Sequence, residues 1–349
     1  MNGEPPRFAD IFEEIVRPAG IAPASLRRVF DAILAGQLTP AQVAGLVVAL
    51  RLKGESAELI AAAAEAMRSA MVAVEHSFDA LLDTCGTGGD GSGTLNLSTG
   101  AAIIAAAAGI PVAKHGNRAQ SSRTGSADVL EALGVPIDLP ASAAGEILRE
   151  ANITFMMATV HHPAMRHAGP ARRELGIRTI FNCLGPLANP ARATHQLLGA
   201  YEDALRPRLA ETLRELGTRG AWVVHGTDGL DEVSPCAPTR VTAVARGATA
   251  ELEVAPEDFG LPRSARSDIA GGDAASNARA LEHVLSGEPH PARNAFVLNA
   301  AAALVVGLGL EPRAAADRAQ QAIATGAARE TLGRWREAAQ RRKPAAVAG

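Results

Sequence analysis

A glycine-rich run in the first third of the chain constrains its fold more than any other feature. Residues 83–99 read DTCGTGGDGSGTLNLST, and the five glycines of this run include those at 86, 88, 89 and 91. Glycine permits tight turns and lets bare backbone N–H groups approach an anion. Ser98 and Thr99 precede a small, apolar stretch at 100–108, where a helix is predicted to begin and to add positive dipole charge and free donors. The run therefore predicts a phosphate-binding loop between a strand and a helix.

The same run permits other interpretations. It could be a purely structural turn, and Gly86-x-Gly88-x-x-Gly91 also satisfies the dinucleotide-binding fingerprint. A dinucleotide site expects an acidic residue about twenty positions further on. That region carries Lys114, and Asp90 would oppose a pyrophosphate unless a metal intervened. No Gly-Lys-Ser/Thr closes the run as in a Walker loop, so a magnesium-bridged polyphosphate is the ligand we predict.

The N-terminal seventy or so residues predict helices only. Thr39, Pro40 and Gln42 form a capping-box pattern before apolar residues at helical spacing, and Gly54 ends that helix. A second helix is predicted from Ser56 to about residue 71. Further along, Pro163 could open a helix, and Pro170 within it predicts a bend.

From Phe78 onward, short apolar runs alternate with helices, which is typical of an α/β domain. The predicted strands are 80–83, 112–114, 153–157 and 221–224. A length of 349 residues also favours two domains. We predict a small all-helical domain at 1–75, with added helices from about 163–196. A larger α/β domain with a central, mostly parallel sheet flanked by helices follows at 76–340, and 341–349 is predicted to be a flexible tail.

Composition excludes several partners. A net charge of −3 gives no electrostatic footprint for nucleic acid or an anionic membrane. Cys85, Cys183 and Cys236 lack metal-ligand spacing, which favours a reduced protein. The N-terminal residues carry no signal pattern, and the apolar stretches are interrupted by Gly, Pro or Asn. We therefore expect a cytoplasmic protein without a membrane span.

Several long motifs in one order resemble the anthranilate phosphoribosyltransferase family, from about residue 10 to about 335. They are GTGGD at 86–90, NLST at 96–99, KHGNR at 114–118, GSAD at 125–128, HPAM at 162–165, RRELG at 172–176, RTIFN at 178–182, LGPLANP at 184–190 and HGTDGLDE at 225–232. The resemblance implies Mg²⁺-dependent transfer of a phosphoribosyl group from phosphoribosyl pyrophosphate to anthranilate, in tryptophan biosynthesis. It also implies a homodimer packed through the helical domains.

The resemblance assigns site residues as well. It implies donor contacts from Gly86, Gly89, Asp90, Thr94, Asn96, Leu97, Ser98, Thr99, Lys114, Ser122 and Ser126. It implies acceptor contacts from Gly86, His115, Gly116, Asn117 and Arg172, and magnesium ligands Ser98, Asp231 and Glu232. A planar guanidinium such as that of Arg172 suits a substrate carboxylate, whereas Arg173 and Glu174 would serve structure. No residue is expected to be essential as an acid or base.

Two other functions remain to be discriminated. A nucleic-acid-binding relative of the same fold would be basic around its groove, and a pyrimidine nucleoside phosphorylase would lack the 114–118 run and Arg172. The chain also departs from the family pattern at Leu95 and at 156–160, close to the expected acceptor entrance. Flexible methionines there leave room for a substituted anthranilate.

Overall fold

The computed structural model describes residues 7–119 and 123–343, which contain fifteen α-helices and seven β-strands. The helices are α1 Phe8–Val16, α2 Pro23–Leu34, α3 Pro40–Lys53, α4 Ala57–Ala70, α5 Leu97–Ala107, α6 Ser126–Ala132, α7 Ala141–Ala151, α8 Ala158–His161, α9 Gly169–Leu175, α10 Phe181–Leu187, α11 Arg206–Glu215, α12 Ala274–Leu285, α13 Arg293–Leu308, α14 Pro312–Ala324 and α15 Ala327–Arg341. The strands are β1 Leu82–Gly86, β2 Val112–Gly116, β3 Ile153–Met157, β4 His195–Gly199, β5 Gly220–Gly226, β6 Thr239–Ala245 and β7 Ala248–Val254.

The N-terminal helices begin where their caps predict. The Thr39 hydroxyl accepts from the Gln42 N–H, and the Gln42 side chain accepts from the Thr39 N–H at 2.9 Å. Ser56 caps α4 by accepting from the Leu59 N–H. These bonds satisfy helix donors that otherwise lack partners. The all-helical N-terminal region is therefore confirmed.

One seven-stranded sheet forms the centre of the larger region, with the order β3-β2-β1-β4-β5-β6-β7. The first five strands are parallel, and β6 and β7 continue the sheet antiparallel. This confirms the predicted α/β class, although β4, β6 and β7 were not among the predicted strands. The chain reverses its direction of strand addition between β1 and β4. Open α/β sheets bind ligands at such a switch point, and here the glycine loop follows β1.

The two larger of three apolar cores in the described residues lie on opposite faces of the sheet. Alternate side chains of a strand point to opposite faces, so Leu197 joins one core and Leu198 the other. The first core contains α5 together with residues of α12, α13, α14 and α15. The second contains the N-terminal helices together with α9, α10 and α11. The helical region therefore packs directly against one sheet face.

The predicted bend at Pro170 is wrong. Pro163 opens a 3₁₀ turn, Pro163–His167, and α9 begins separately at Gly169 with Pro170 in its first turn. Proline fits that position because the first-turn N–H groups have no intrahelical partner. The proline thus begins a helix and does not bend one.

The predicted tail also needs correction at its start. Helix α15 continues through Arg341, and Arg342 pairs with Glu146 at 2.7 Å and with Glu150 at 2.9 Å. Arg341 pairs with Glu150 too. Charged contacts with α7 therefore hold 341–342, whereas 344–349 lie outside the described residues.

Within 7–119 and 123–343, no single helix is long and apolar enough to cross a membrane; α13 and α14 reach that composition only as a pair, bent by 117°.

Candidate active site

The glycine loop runs from the end of β1 to α5 in a conformation that needs glycine. Gly89 and Gly91 have φ values of 79° and 71°, which residues with side chains rarely adopt. The Gly88 N–H donates to the Asp231 carboxylate at 3.1 Å. The Asp90 carboxylate in turn accepts from the Asp231 N–H at 3.4 Å. These two hydrogen bonds thus tie the loop to the turn after β5.

Gly86 lies against the same acidic turn. A Cβ placed on Gly86 would stand 2.9 Å from Asp231 Oδ2, and one on Gly199 would stand 1.6 Å from the Asp231 carbonyl oxygen. Real Cβ atoms essentially never approach this closely. Gly199 is therefore required for the Asp231 backbone to lie where it does, and Gly86, its partner across β1 and β4, leaves room for the Asp231 carboxylate.

The beginning of α5 is occupied by an acidic side chain. Asn96 is the N-cap residue, and Leu97 and Thr99 are buried in the first turn. The Ser98 N–H, predicted to be free for an anion, donates to Glu232 Oε1 at 3.1 Å. Thr94 lies just before the helix and forms a bridge with Ala270. The structure thus places Ser98 and Glu232 side by side, as the metal prediction requires.

Lys114 is the buried cation of the site, with 2% of its surface exposed. Its ammonium donates to the Thr84 carbonyl oxygen and to Ser98 Oγ, the latter at 3.3 Å. Burial lowers the pKa of Lys114, and the buried Asp83 carboxylate opposes that shift. Lys114 thus connects the middle of β2 to β1 and to the start of α5.

The acidic side chains lie in an environment that disfavours their charge. Burial and the neighbouring carboxylates of Asp90 and Glu232 raise the pKa of Asp231 well above its usual range. Burial raises the pKa of Glu232 to about 7, against the opposing effect of Lys114. A cation held here would relieve this repulsion. Among the described residues, no three His, Cys, Asp or Glu side chains form a metal cluster on their own.

The turn after β2 carries the predicted acceptor residues. A Cβ on Gly116 would stand 2.3 Å from Ser126 Oγ, so only glycine fits there. The Asn117 side-chain oxygen accepts from the Arg118 N–H at 2.8 Å, and the Asn117 backbone carbonyl accepts from Ser126 Oγ at 3.4 Å. These contacts close the turn and bring the predicted donor residue Ser126 beside the acceptor residues. Ser122 lies outside the described residues.

His115 is buried and neutral. Its Nδ1 lies 3.0 Å from the Gly185 carbonyl oxygen, which can only accept, so Nδ1 carries the proton. Its Nε2 is buried without a hydrogen-bond partner, and the His162 ring lies 5.0 Å away. Burial lowers the pKa of His115 to about 3, and His162 contributes to the shift. Such a weak base is a poor proton acceptor.

Arg172 lies against α10, the helix that also contacts this histidine. Its guanidinium lies 5.5 Å from the ring of Phe181, and Gly185, which contacts His115, follows four residues later on α10. Residues four apart lie on the same face of a helix. Arg172 is partly buried and has no hydrogen-bond or ion-pair partner among the described residues, whereas its neighbour Arg173 is exposed. Desolvation lowers the pKa of Arg172.

Sequence reasoning missed several residues that support this site. Asp83 accepts from the His115 N–H at 3.1 Å and from Asn189 Nδ2 at 2.8 Å. Arg178 donates to the Gly89 carbonyl oxygen and stacks 3.6 Å from the centre of the Tyr201 ring. All of these residues except Tyr201 lie within the sequence segments quoted above. Membership of those segments marked them as candidates, but the sequence could not show which groups they contact.

Asn277 and Asn299 gave a weaker signal, because each lies in a helix outside the quoted motifs. Asn299 interrupts the apolar helix α13 and is fully buried. It accepts from the Val233 N–H and donates to the Val233 carbonyl, both at 3.0 Å. It therefore anchors the residue that follows Asp231 and Glu232.

Two family models match the chain. The α/β domain of a glycosyl transferase family matches residues 78–329, and the helical bundle domain of a glycosyl transferase family matches residues 9–71. An anthranilate phosphoribosyltransferase from Rhodopseudomonas palustris (strain BisB18) is 53% identical over 80% of this chain and 82% of its own length. The chain belongs to the anthranilate phosphoribosyltransferase family.

Two solved structures of the family share the fold. The enzyme from Thermus thermophilus superposes with a TM-score of 0.89 at 40% identity, covering 95% of this chain and 99% of its own. The Saccharomyces cerevisiae enzyme, solved in complex with PRPP and Mg, has a TM-score of 0.88 at 28% identity, covering 96% and 98%. The predicted family and transferase class are confirmed, and neither alternative function receives support.

Proposed function

We propose that this member of the anthranilate phosphoribosyltransferase family transfers the 5-phosphoribosyl group of phosphoribosyl pyrophosphate to the amino group of anthranilate. The products are N-(5-phosphoribosyl)anthranilate and pyrophosphate, and the reaction belongs to tryptophan biosynthesis. The family supports the reaction, and one observation in this chain carries it. Arg172 is a partly buried guanidinium without a hydrogen-bond or ion-pair partner among the described residues, and it lies over Phe181, one turn of α10 before the residue that contacts His115. An anionic ligand would satisfy it.

The donor is held by the loop, the helix start and Lys114. The loop supplies backbone N–H groups, and Lys114 supplies a buried positive charge beside Ser98. Thr94, Asn96 and Ser98 add polar groups along the same edge of the sheet. The amine nitrogen attacks the anomeric carbon, and the bond to the pyrophosphate oxygen breaks with its electron pair. These donors therefore act mainly by stabilising the departing anion.

The residues present fit Mg²⁺. Ser98, Asp231 and Glu232 offer only oxygen ligands, and the mutual repulsion of Asp90, Asp231 and Glu232 calls for a cation. Mg²⁺ is commonly bound by one or two carboxylates together with substrate phosphates. Bound there, it would supply charge neutralisation on the pyrophosphate. Asp231 and Glu232 are the residues that would hold it.

The acceptor carboxylate pairs with Arg172, and its amine lies toward His115, Gly116 and Asn117. Because His115 is neutral and its pKa is about 3, it contacts the amine without serving as an essential base. The amine nitrogen loses its proton readily once it has attacked. Proximity and charge stabilisation can then supply most of the rate.

We also propose that the enzyme is a cytoplasmic homodimer packed through its helical domains. Val16 and Leu52 are 43% and 83% exposed on this part of the molecule, which leaves apolar surface for a second copy. The division into 1–75 and 76–340 stays a prediction.

The first test is loss of anthranilate fluorescence in the presence of donor and Mg²⁺, with each omitted in turn. Arg172→Ala is expected to raise KM for anthranilate about 10- to 100-fold, because a charge-assisted hydrogen bond is lost. Donor affinity should change little. Arg173→Ala, an exposed neighbour on the same helix, is the matched control. An unchanged anthranilate KM in Arg172→Ala would contradict the acceptor assignment.

A further inference from the structure

Asn277 is a buried polar side chain behind the donor site. It lies in the first turn of α12, with 3% of its surface exposed, and no motif of the sequence includes it. Its amide contacts two other segments: Gly272 in the loop before α12, and Asn96 at the start of α5. It therefore connects distant parts of the chain to a predicted donor contact.

The directions of these hydrogen bonds are determined by chemistry. The Gly272 backbone N–H can only donate, so the Asn277 atom 2.7 Å away is its oxygen. The nitrogen of the same amide must then donate to Asn96, across 3.0 Å, and the Asn96 atom that accepts must be Oδ1. Asn96 Nδ2 consequently points the other way and donates to the Thr124 carbonyl oxygen at 3.2 Å. Both amides are thus oriented in one sense only.

Asn96 Nδ2 carries two hydrogens, and Thr124 uses one of them. No other acceptor among residues 7–119 and 123–343 takes the second, so the partly exposed side chain can offer it to a ligand, while its oxygen is turned to Asn277. This polarity suits an anion such as pyrophosphate. A rotation of the Asn96 amide by 180° would instead turn its oxygen toward the Thr124 carbonyl and the anion, which is repulsive on both sides.

Further contacts hold the loop before α12, which contains Gly271 and Gly272, against the donor site. The Thr124 hydroxyl donates to the Gly272 carbonyl at 3.0 Å, while the Gly271 N–H donates to the Gly93 carbonyl at 2.8 Å. A Cβ on Gly271 would stand 2.4 Å from the Thr94 carbonyl oxygen, so the two segments are in direct contact. The backbone N–H that orients Asn277 is therefore itself held in place.

We propose that Asn277 is a positioning residue for the donor. By donating to Asn96 Oδ1, it presents the Asn96 N–H to the phosphoribosyl pyrophosphate. This inference rests on the proposed function, since it takes the donor from there.

Asn277→Asp is the decisive variant. The aspartate still accepts from the Gly272 N–H, but it can no longer donate, so the Asn96 amide must turn its nitrogen toward it. Affinity for phosphoribosyl pyrophosphate with Mg²⁺, measured by calorimetry without anthranilate, should fall about 10- to 100-fold. Asn277→Leu releases the Asn96 amide and also leaves the Gly272 N–H without its Asn277 partner, but it does not force the Asn96 amide to turn, so it should weaken binding by less. KM for anthranilate should stay close to the wild-type value in both.

Two controls separate orientation from added charge and from misfolding. Ser276→Asp places the same charge one residue away and should leave donor affinity within about threefold of wild type. In an Asn96→Ala background, Asn277→Asp should have little further effect, because Asn277 acts through Asn96. Circular dichroism melts confirm that each variant is folded.

The inference would be overturned if wild-type protein binds phosphoribosyl pyrophosphate measurably and Asn277→Asp binds it equally well. It would also be overturned if Asn277→Asp lowers this affinity as much in the Asn96→Ala background as in the wild type. Wild-type protein that binds the donor but does not consume anthranilate would count against the proposed function alone.

Discussion

Replacing Gly199 by alanine is expected to displace Asp231 and to impair the use of magnesium. A Cβ on Gly199 would stand 1.6 Å from the Asp231 carbonyl oxygen and 2.6 Å from its carbonyl carbon. Restoring even the shortest tolerated separation of about 3.0 Å requires a backbone shift of about 1.4 Å. The 3.1 Å hydrogen bond from Gly88 to the Asp231 carboxylate would not survive it. Misplacement by about 1 Å can cost about 100-fold in rate.

The assay is the initial rate at saturating donor and anthranilate over a Mg²⁺ titration. Gly199→Ala should lower kcat about 100-fold and raise the Mg²⁺ concentration needed for half-maximal rate. Gly333→Ala is the matched control, because no atom lies within 4 Å of a Cβ placed there on α15. A folded Gly199→Ala enzyme with wild-type kcat and Mg²⁺ dependence would refute the assignment of Asp231.

Two further predictions concern stability. Asn299→Leu conserves shape but leaves the buried Val233 N–H and carbonyl unpaired, so urea titration should show a loss of about 3 kcal/mol; a loss below about 1 kcal/mol would contradict this role. His115 has a pKa of about 3 when folded and about 6.5 when unfolded, so the unfolded chain takes up the proton first and stability falls as pH drops from 6.5 toward 3. Between pH 7 and 5 this histidine should lower the free energy of unfolding by about 2 kcal/mol. His115→Gln should remove this loss and still turn over substrate. Equal acid sensitivity of the wild-type and variant proteins would disprove the stability prediction, and abolished turnover with intact donor binding would disprove the view that His115 is not an essential base.

Local chemistry explains which parts of the fold were predictable. The caps at Thr39 and Ser56 involve residues three positions apart, so a sequence pattern contains all of their partners. The glycine loop is similar, because its positive φ angles are a property of the loop itself. The prediction of a bend at Pro170 was wrong because the residue's role depends on its surroundings. A proline both begins and bends helices, and only the neighbouring 3₁₀ turn decides between the two.

The site divides in the same way. Motifs pointed to Lys114, Asp231 and Glu232. They did not show that the Glu232 carboxylate accepts a hydrogen bond from the N–H of Ser98, 134 residues earlier in the chain. Asn277 and Asn96 are 181 residues apart, and their contact depends on how α12 packs against α5. Residue type and order therefore sufficed to propose a chemistry for the site. Its internal hydrogen bonds required the tertiary structure.

The core shared by the N-terminal helices and one sheet face has a consequence for synthesis on the ribosome. Helices α1 to α4 end at Ala70, but their apolar faces are completed by α9, α10 and α11, the last ending at Glu215. At ~5–20 residues per second, the partner helices emerge about 7 to 30 seconds later. Until then the bundle exposes surface that the finished protein buries. Its first 70 residues are therefore expected to stay only marginally folded, and open to chaperones, until more than half of the chain has been made.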